Sequence, residues 1–255
     1  RCVDETVSVG NAVGSVTANL GLIMAIALVC MPGTIRRRDY LLKSLLMLAA
    51  SGVIVLAGNQ GAVDLRMSGL LLIIFAAFII ENVRSAVTAG GNNHTSHKKM
   101  SPQKKEVLLN CVKFVAGAAG VVIGADLLVD SGSALARMVG VSERIIGVTI
   151  VAVGTSLPEL VTTVTAVTKK QSALSVGNIL GANIMDLTLI LPVSGLISGK
   201  ALPLSPTAGL IDLPACLLVG CIAVIPPMFT KKFQRWQGFA LLAVYIVYLF
   251  LTCSH

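Results

Sequence analysis

Glu159 is a carboxylate set deep in the apolar run 142–168, too far from either end for its side chain to reach water. Holding a charge at such a depth costs at least about 2.5–3.5 kcal/mol on membrane-insertion scales. It closes the stretch Ala152-Val153-Gly154-Thr155-Ser156-Leu157-Pro158-Glu159. Pro158 removes a backbone donor and clashes one turn back, so carbonyls over 152–155 lose helical partners. Free carbonyls at membrane depth are tolerated where they line a cavity or bind something. A second run supplies Asn178, Asn183 and Asp186, and a third supplies Asn11, Ser15 and Asn19. Ser15 and Asn19 lie one helical turn apart, as do Ala182 and Asp186. Every one of these groups offers oxygen. All three histidines (His94, His97, His255) fall outside the apolar runs. Oxygen-only sets suit hard cations such as Ca²⁺, Na⁺ or K⁺ rather than zinc or copper. Two carboxylates among neutral oxygens can hold one divalent ion or several monovalent ones, which exchange at a shared site requires. The Gly-Asn-x-x-Gly setting of Asn11 and Asn178 serves close helix packing equally well. An intramembrane hydrolase built on Ser156 is disfavoured, because no histidine base lies within a run to activate it.

The elements that carry these residues are membrane spans. Of the 255 residues, 55% are hydrophobic and 13% charged, whereas soluble domains hold about a quarter charged residues. Runs at 67–80, 107–129, 207–227 and 238–252, with their flanks, approach the ~20 residues that cross a bilayer. None has the alternation of barrel strands. With polar breaks as boundaries, the sequence predicts eight helices over 7–31, 40–58, 67–88, 106–129, 142–168, 172–197, 207–228 and 237–252. Gly117, Gly120 and Gly124 make one small-residue face of the fourth, suited to sliding or to tight packing. Cys2, Cys30, Cys111, Cys216, Cys221 and Cys253 are scattered without a Cys-x-x-Cys pair. They read as small buried apolar residues rather than metal or disulfide partners.

The net charge of +8 is distributed by connection. Arg36, Arg37, Arg38 and Lys43, then Arg84, Lys98, Lys99, Lys104 and Lys105, then Lys169 and Lys170, then Lys231, Lys232 and Arg235 fall in alternate connections. The remaining connections hold only Arg1, Arg66, Arg137, Arg144 and Lys200. The positive-inside rule makes the first set cytoplasmic, in a multi-pass protein of the cell membrane whose chain ends both face outward. The polar stretch 89–105, with two Lys-Lys pairs, reads as a solvated cytoplasmic linker, and its His94 and His97 have no further ligand candidates beside them. Ser8-Val9-Gly10-Asn11-Ala12-Val13-Gly14 recurs as Ser175-Val176-Gly177-Asn178-Ile179-Leu180-Gly181, an offset that also brings Asn19 onto Asp186. Arg66-x-x-Gly69 is echoed by Arg235-x-x-Gly238. Five spans separate the copies. An odd number inverts one relative to the other, as in many secondary transporters, whose sites lie at the midplane.

The run Gly154-Thr155-Ser156-Leu157-Pro158-Glu159-Leu160, followed by Gly177-Asn178-x-x-Gly181-x-Asn183, resembles the second alpha-repeat of the sodium/calcium exchanger family, within the cation/calcium exchanger superfamily. Gly10-Asn11-x-x-Gly14-Ser15 through Asn19 resembles the closing half of the first alpha-repeat. The resemblance implies an all-α integral membrane fold of ten helices in inverted repeat, eight of them in this chain. Residues 1–88 would be the last three helices of the first repeat, 89–105 the linker, and 106–255 a complete second repeat. It implies that Thr155, Ser156, Glu159, Asp186, Ser15 and Asn19, with the carbonyl of Ala152, line the ion sites. It further implies Ca²⁺/Na⁺ antiport rather than enzymatic catalysis, with the transported ions as cargo and no cofactor. Asn11, Asn178 and Asn183 join the candidate set from their place in the same runs. Two departures stand out. The family's first repeat opens with its own Gly-Thr-Ser-x-Pro-Glu-like helix, which would fall before Arg1. Ala182 stands where relatives usually carry Ser. The segment Asn183-Ile184-Met185-Asp186-Leu187-Thr188 also resembles potassium-dependent exchangers. K⁺-dependent Na⁺/Ca²⁺ exchange and H⁺/Ca²⁺ exchange are therefore the alternatives within this fold.

Overall fold

The computed structural model describes residues 5–33, 37–91, 104–141, 143–204 and 208–254. Eight spans form within them, seven long helices and one bent pair. α1 comprises Glu5–Ala18, a wider π-turn at Asn19–Met24, and Ala25–Cys30. α2 is Arg37–Gln60, α3 is Leu65–Gly91 and α4 is Lys104–Met138. α5 runs through Glu143–Ile146, Gly147–Val151 and Ala152–Thr155, then restarts as Leu157–Thr168. α6 comprises Ser172–Met185, a π-turn at Asp186–Ile190, and Leu191–Ser198. α7 opens with a π-turn at Ala208–Asp212 and continues as Leu213–Thr230, and α8 is Arg235–Ser254. β1 (Ala62–Val63) and β2 (Leu202–Pro203) pair antiparallel.

The inversion is visible in how the ends meet. α1 finishes beside the α7–α8 connection, where the Phe233 amide donates to the Gly33 carbonyl at 2.8 Å. α6 finishes beside the α2–α3 connection, where Leu204 N donates to Gly61 O at 2.9 Å next to the β1–β2 pair. α2 leads from the first of these junctions to the second, so α1 and α6 run in opposite directions. The π-turns of α1 and α6 begin at Asn19 and Asp186, the positions that the sequence repeat aligns. One extra residue per turn re-aims the side chains that follow, a distortion frequent at functional sites.

α7 carries Pro226 and Pro227, which deprive Ile222 and Ala223 of their helical donors. Side chains from two other helices take those carbonyls. Gln237 Nε2 on α8 donates to Ile222 O at 3.2 Å, and the Tyr40 hydroxyl on α2 donates to Ala223 O at 3.1 Å. Tyr40 also packs edge-on against Phe233, with ring centroids 5.4 Å apart. Tyr40→Phe keeps that ring contact and orphans one buried carbonyl, an expected loss of about 1–3 kcal/mol. Thermal unfolding in detergent measures it, and a wild-type melting temperature would refute it.

Two expectations need correction. α4 was expected to end at 129 but continues to Met138, 35 residues in all. No proline falls in it, so the polar residues from Asp130 onward mark exposure rather than a helix end. At 1.5 Å per residue it is about 52 Å long, so it tilts across or projects beyond a ~30 Å hydrocarbon core. Its packing face is not the glycine face. Buried Ala125 and Ser133 flank the contact made by Val129, whereas a Cβ at Gly117, Gly120 or Gly124 would meet nothing within 4 Å. The cysteines divide likewise: Cys216 is buried and Cys221 half-buried, but Cys30, Cys111 and Cys253 are exposed. These three thiols lie exposed on apolar spans, so hydrophobicity did not imply an inward position. α3 extends to Gly91. Most of the expected linker, including His94 and His97, lies outside the described residues.

Candidate functional site

The site forms where the α1 π-turn and the first part of α6 pack against α5 beyond its break, and the α6 π-turn packs against α1. α5 bends by 56° across Ser156. Pro158 has no N–H for the Gly154 carbonyl, and the Ser156 amide turns instead to Val153 O at 3.2 Å. The second half then restarts with Pro158 and Glu159 in its first turn. A fixed φ suits Pro to that position, and the helix N-terminus favours an adjacent carboxylate.

Hydrogen bonds tie the candidate residues together. Thr155 Oγ1 donates to the Ala152 carbonyl at 3.1 Å. With that proton committed, Ser15 Oγ is the donor in its 3.2 Å contact with Thr155 Oγ1. Across the other crossing, Asn19 Nδ2 donates to Asn183 Oδ1 at 2.9 Å. Glu159 and Asp186, both half-buried, lie close enough for their charges to interact. Among the described residues, Asn19 Oδ1, Ser156 Oγ and Glu159 Oε2 are buried without a hydrogen-bond partner. Exchanging oxygen and nitrogen in both amides preserves the Asn19–Asn183 bond and opens the Asn183 oxygen instead. One amide oxygen is open in either arrangement. Buried oxygens without donors are costly unless something positive meets them. Two carboxylates, one amide oxygen, the hydroxyls of Ser15, Thr155 and Ser156 and the Ala152 carbonyl are the donors a dehydrated hard cation takes.

Asn178 lies on a different face. It is exposed, and its Nδ2 donates to Thr162 Oγ1 at 2.8 Å, while Thr162 Oγ1 donates to the Glu159 carbonyl at 3.0 Å. It braces the turn that carries Glu159 and does not join Asn19 and Asn183. Its five-residue separation from Asn183 already put the two on different faces of a helix. The backbone of Asn11 sits in α1, and its side chain is outside the described set. Thr162 escaped the sequence reading, although it lies one turn beyond Glu159 on α5. Gly154 was read there only as part of the motif, without a role of its own. A Cβ there would lie 2.0 Å from Val129 Cγ2, so the bare backbone admits α4. Asp212, an acid within the seventh apolar run, answers the same criterion that singled out Glu159.

This is a multi-pass helical membrane transporter of the inverted-repeat kind. The sequence profile of the sodium/calcium exchanger protein family matches residues 110–253, and the chain belongs to that family. It is 30% identical over 250 residues to the inner membrane protein YrbG of Escherichia coli, covering 95% of this chain and 75% of that protein. It is 35% identical over 136 residues to the sodium/calcium exchanger MaX1 of Methanosarcina acetivorans, covering 53% of this chain and 38% of that one. The structure of the sodium-calcium exchanger NCX_Mj soaked with Na⁺ and Sr²⁺ superposes with a TM-score of 0.73 at 28% identity, over 95% of this chain and 76% of that one.

Proposed function

We propose that the protein is a secondary active antiporter that exchanges Ca²⁺ for Na⁺ at the site between Glu159 and Asp186. The observation that carries this reading is the set of buried, unpartnered oxygens on Asn19, Ser156 and Glu159, beside a second carboxylate, at a helix break. Such a site holds one Ca²⁺ or several Na⁺, and competition between them couples the two fluxes. Moving one divalent ion out against 100 mV, inside negative, costs about 4.6 kcal/mol. The concentration gradient adds to that, so more than one Na⁺ enters per Ca²⁺. Asp186 stands where the other repeat has Asn19, and there it can serve K⁺ or H⁺ as a further co-ion. Asn178 and Thr162 hold the Glu159 turn in place.

The test is ⁴⁵Ca uptake into Na⁺-loaded vesicles containing the purified protein. Uptake should require the outward Na⁺ gradient, saturate in Ca²⁺ and be abolished by a Na⁺ ionophore. Uptake that ignores the Na⁺ gradient and does not saturate would make it a channel instead.

The basic connections are assigned to the cytoplasm, with both chain ends on the opposite side of the cell membrane. In a cysteine-free background, a cysteine at Gln234 should be shielded from impermeant reagents in intact cells, and one at Leu204 should label. The reverse pattern would overturn the orientation.

A further inference from the structure

Thr17, Ser51, Thr188 and Thr252 are buried, and each donates its hydroxyl proton to the carbonyl one turn back along its own helix. Thr163 on α5 and Ser175 on α6 are as deeply buried, at 0% and 1% exposure. Their hydroxyls, however, have no hydrogen-bond partner among the described residues. Neither residue belongs to the ligand set around Glu159 and Asp186. A hydroxyl withdrawn from water and left unmet is destabilising. Two of them on the helices that carry the carboxylates call for something polar to meet them during transport.

The hairpin of α5 and α6 sets where they lie. Only residues 169–171 join the second half of α5 to the start of α6. The 2.8 Å bond from Asn178 Nδ2 to Thr162 Oγ1 fixes the register of the two helices. Thr163 lies one turn beyond Glu159, on the same face of α5. Ser175 lies two turns from Ala182 and three from Asp186, again on one face of α6. At 1.5 Å per residue from the level of Thr162 and Asn178, Thr163 and Ser175 sit within about 3 Å of each other in depth. Both fall between the carboxylates and the Lys169–Lys170 connection. The end of α1 packs against both helices, and with both hydroxyls out of solvent this side of the site is closed here. Ser175 also has a counterpart in the sequence repeat, Ser8, which the inversion directs toward the opposite side of the membrane.

No acid falls between Glu159 and Lys169 on α5, or between Gln171 and Asp186 on α6. A cation leaving the site in this direction therefore meets neutral oxygens only. An exit route needs oxygens of that kind, favourable enough to replace part of a hydration shell and too weak to retain the ion. We propose that Thr163 and Ser175 line the path between the cation site and the membrane face that carries Lys169 and Lys170. When that side opens, their hydroxyl oxygens meet a partly hydrated Ca²⁺ or Na⁺. This rests on the exchange reading above.

The experiment places Thr163→Cys and Ser175→Cys singly in a cysteine-free background, in inverted and in right-side-out membrane vesicles. The probe is a small, impermeant, positively charged thiosulfonate. Gln234→Cys and Leu204→Cys mark the two faces. Thr252→Cys, at a buried hydroxyl that already donates to Tyr248 O, is the unreactive control. Both path cysteines should react from the Gln234 face and not from the Leu204 face, and saturating Ca²⁺ should slow the reaction. In the same vesicles, Ser175→Ala and Thr163→Val should each raise half-saturating Ca²⁺ for Na⁺-driven ⁴⁵Ca uptake about fivefold at the Gln234 face, and less than about twofold at the Leu204 face. Should Thr163→Cys fail to fold, Ser175→Cys, which exchanges a single atom, decides. Labelling no faster than in Thr252→Cys, labelling from the Leu204 face, or equal shifts in half-saturation at both faces would overturn the proposal while leaving the exchange reading intact. A wild-type protein without Na⁺-driven uptake would overturn both.

Discussion

Glu159→Gln should reduce Na⁺-driven ⁴⁵Ca flux to background. The amide keeps the size of the side chain and an oxygen at each former position but one, and removes the charge. Ca²⁺ leaves most of its hydration behind when it enters a protein site, and anionic oxygens replace that loss. At about 4 Å and an effective dielectric near 20, each pair of unit charges is worth about 4 kcal/mol. Losing the anion thus weakens Ca²⁺ binding by about a thousandfold or more. Glu159 Oε2 is buried with no partner among the described residues, so no hydrogen bond meets the charge at that oxygen. Asp186→Asn gives a contrast within the same assay. It makes α6 match α1, where Asn19 already heads the equivalent π-turn. Ca²⁺ exchange should survive there with an altered dependence on the monovalent co-ion. Near-normal flux in Glu159→Gln would sink the proposed site. Collapse of Asp186→Asn under every ionic condition would make Asp186 a direct calcium ligand.

The contrast between these acids was legible in the sequence because membrane burial makes polar residues conspicuous. A carboxylate in an apolar run must be explained, and a repeat with five intervening spans must be inverted. Both inferences need only hydropathy, spacing and parity, and the helix-end junctions at Gly33 and Gly61 bear out the inversion. What hydropathy does not encode is which side of a span faces protein. Cys111 and Cys216 are equally apolar, yet one is exposed and the other buried. The glycines at 117, 120 and 124 likewise share one helix face, and a Cβ at any of them would meet nothing within 4 Å among the described residues. The π-turns were also hidden, since a one-residue widening leaves no compositional mark. They matter because they change which later side chains share a face. Tyr40 and Gln237 could have been sought from the sequence: Pro226-Pro227 guarantees two orphaned carbonyls. Which side chains would answer them depended on tertiary packing across 183 residues of chain in the case of Tyr40.

Gly154→Val should break the α4–α5 contact, with losses in both stability and flux. Val129 Cγ2 would sit 2.0 Å from even the first added carbon, well inside van der Waals contact. A valine has no long flexible arm to swing aside, and its χ1 is restricted in a helix. The clash is therefore relieved by moving α4 as a body or by bending α5. α5 is already broken two residues on, at Ser156, so strain from Gly154 passes directly into Thr155, Ser156 and the Glu159 turn. Overpacking of a tight core contact typically costs about 1–3 kcal/mol. Displacing ligands that must be fixed to about 0.5 Å costs activity beyond that. Gly154→Ala should show the same defect in milder form, and Val129→Ala should open room for it. The Gly154→Ala/Val129→Ala double variant is accordingly expected to melt at a higher temperature than Gly154→Ala alone and to recover flux. Thermal unfolding of purified protein and ⁴⁵Ca uptake provide the two readings. If Gly154→Ala melts and transports like wild type, α4 is free to shift, and its contact at Val129 does not position the α5 break.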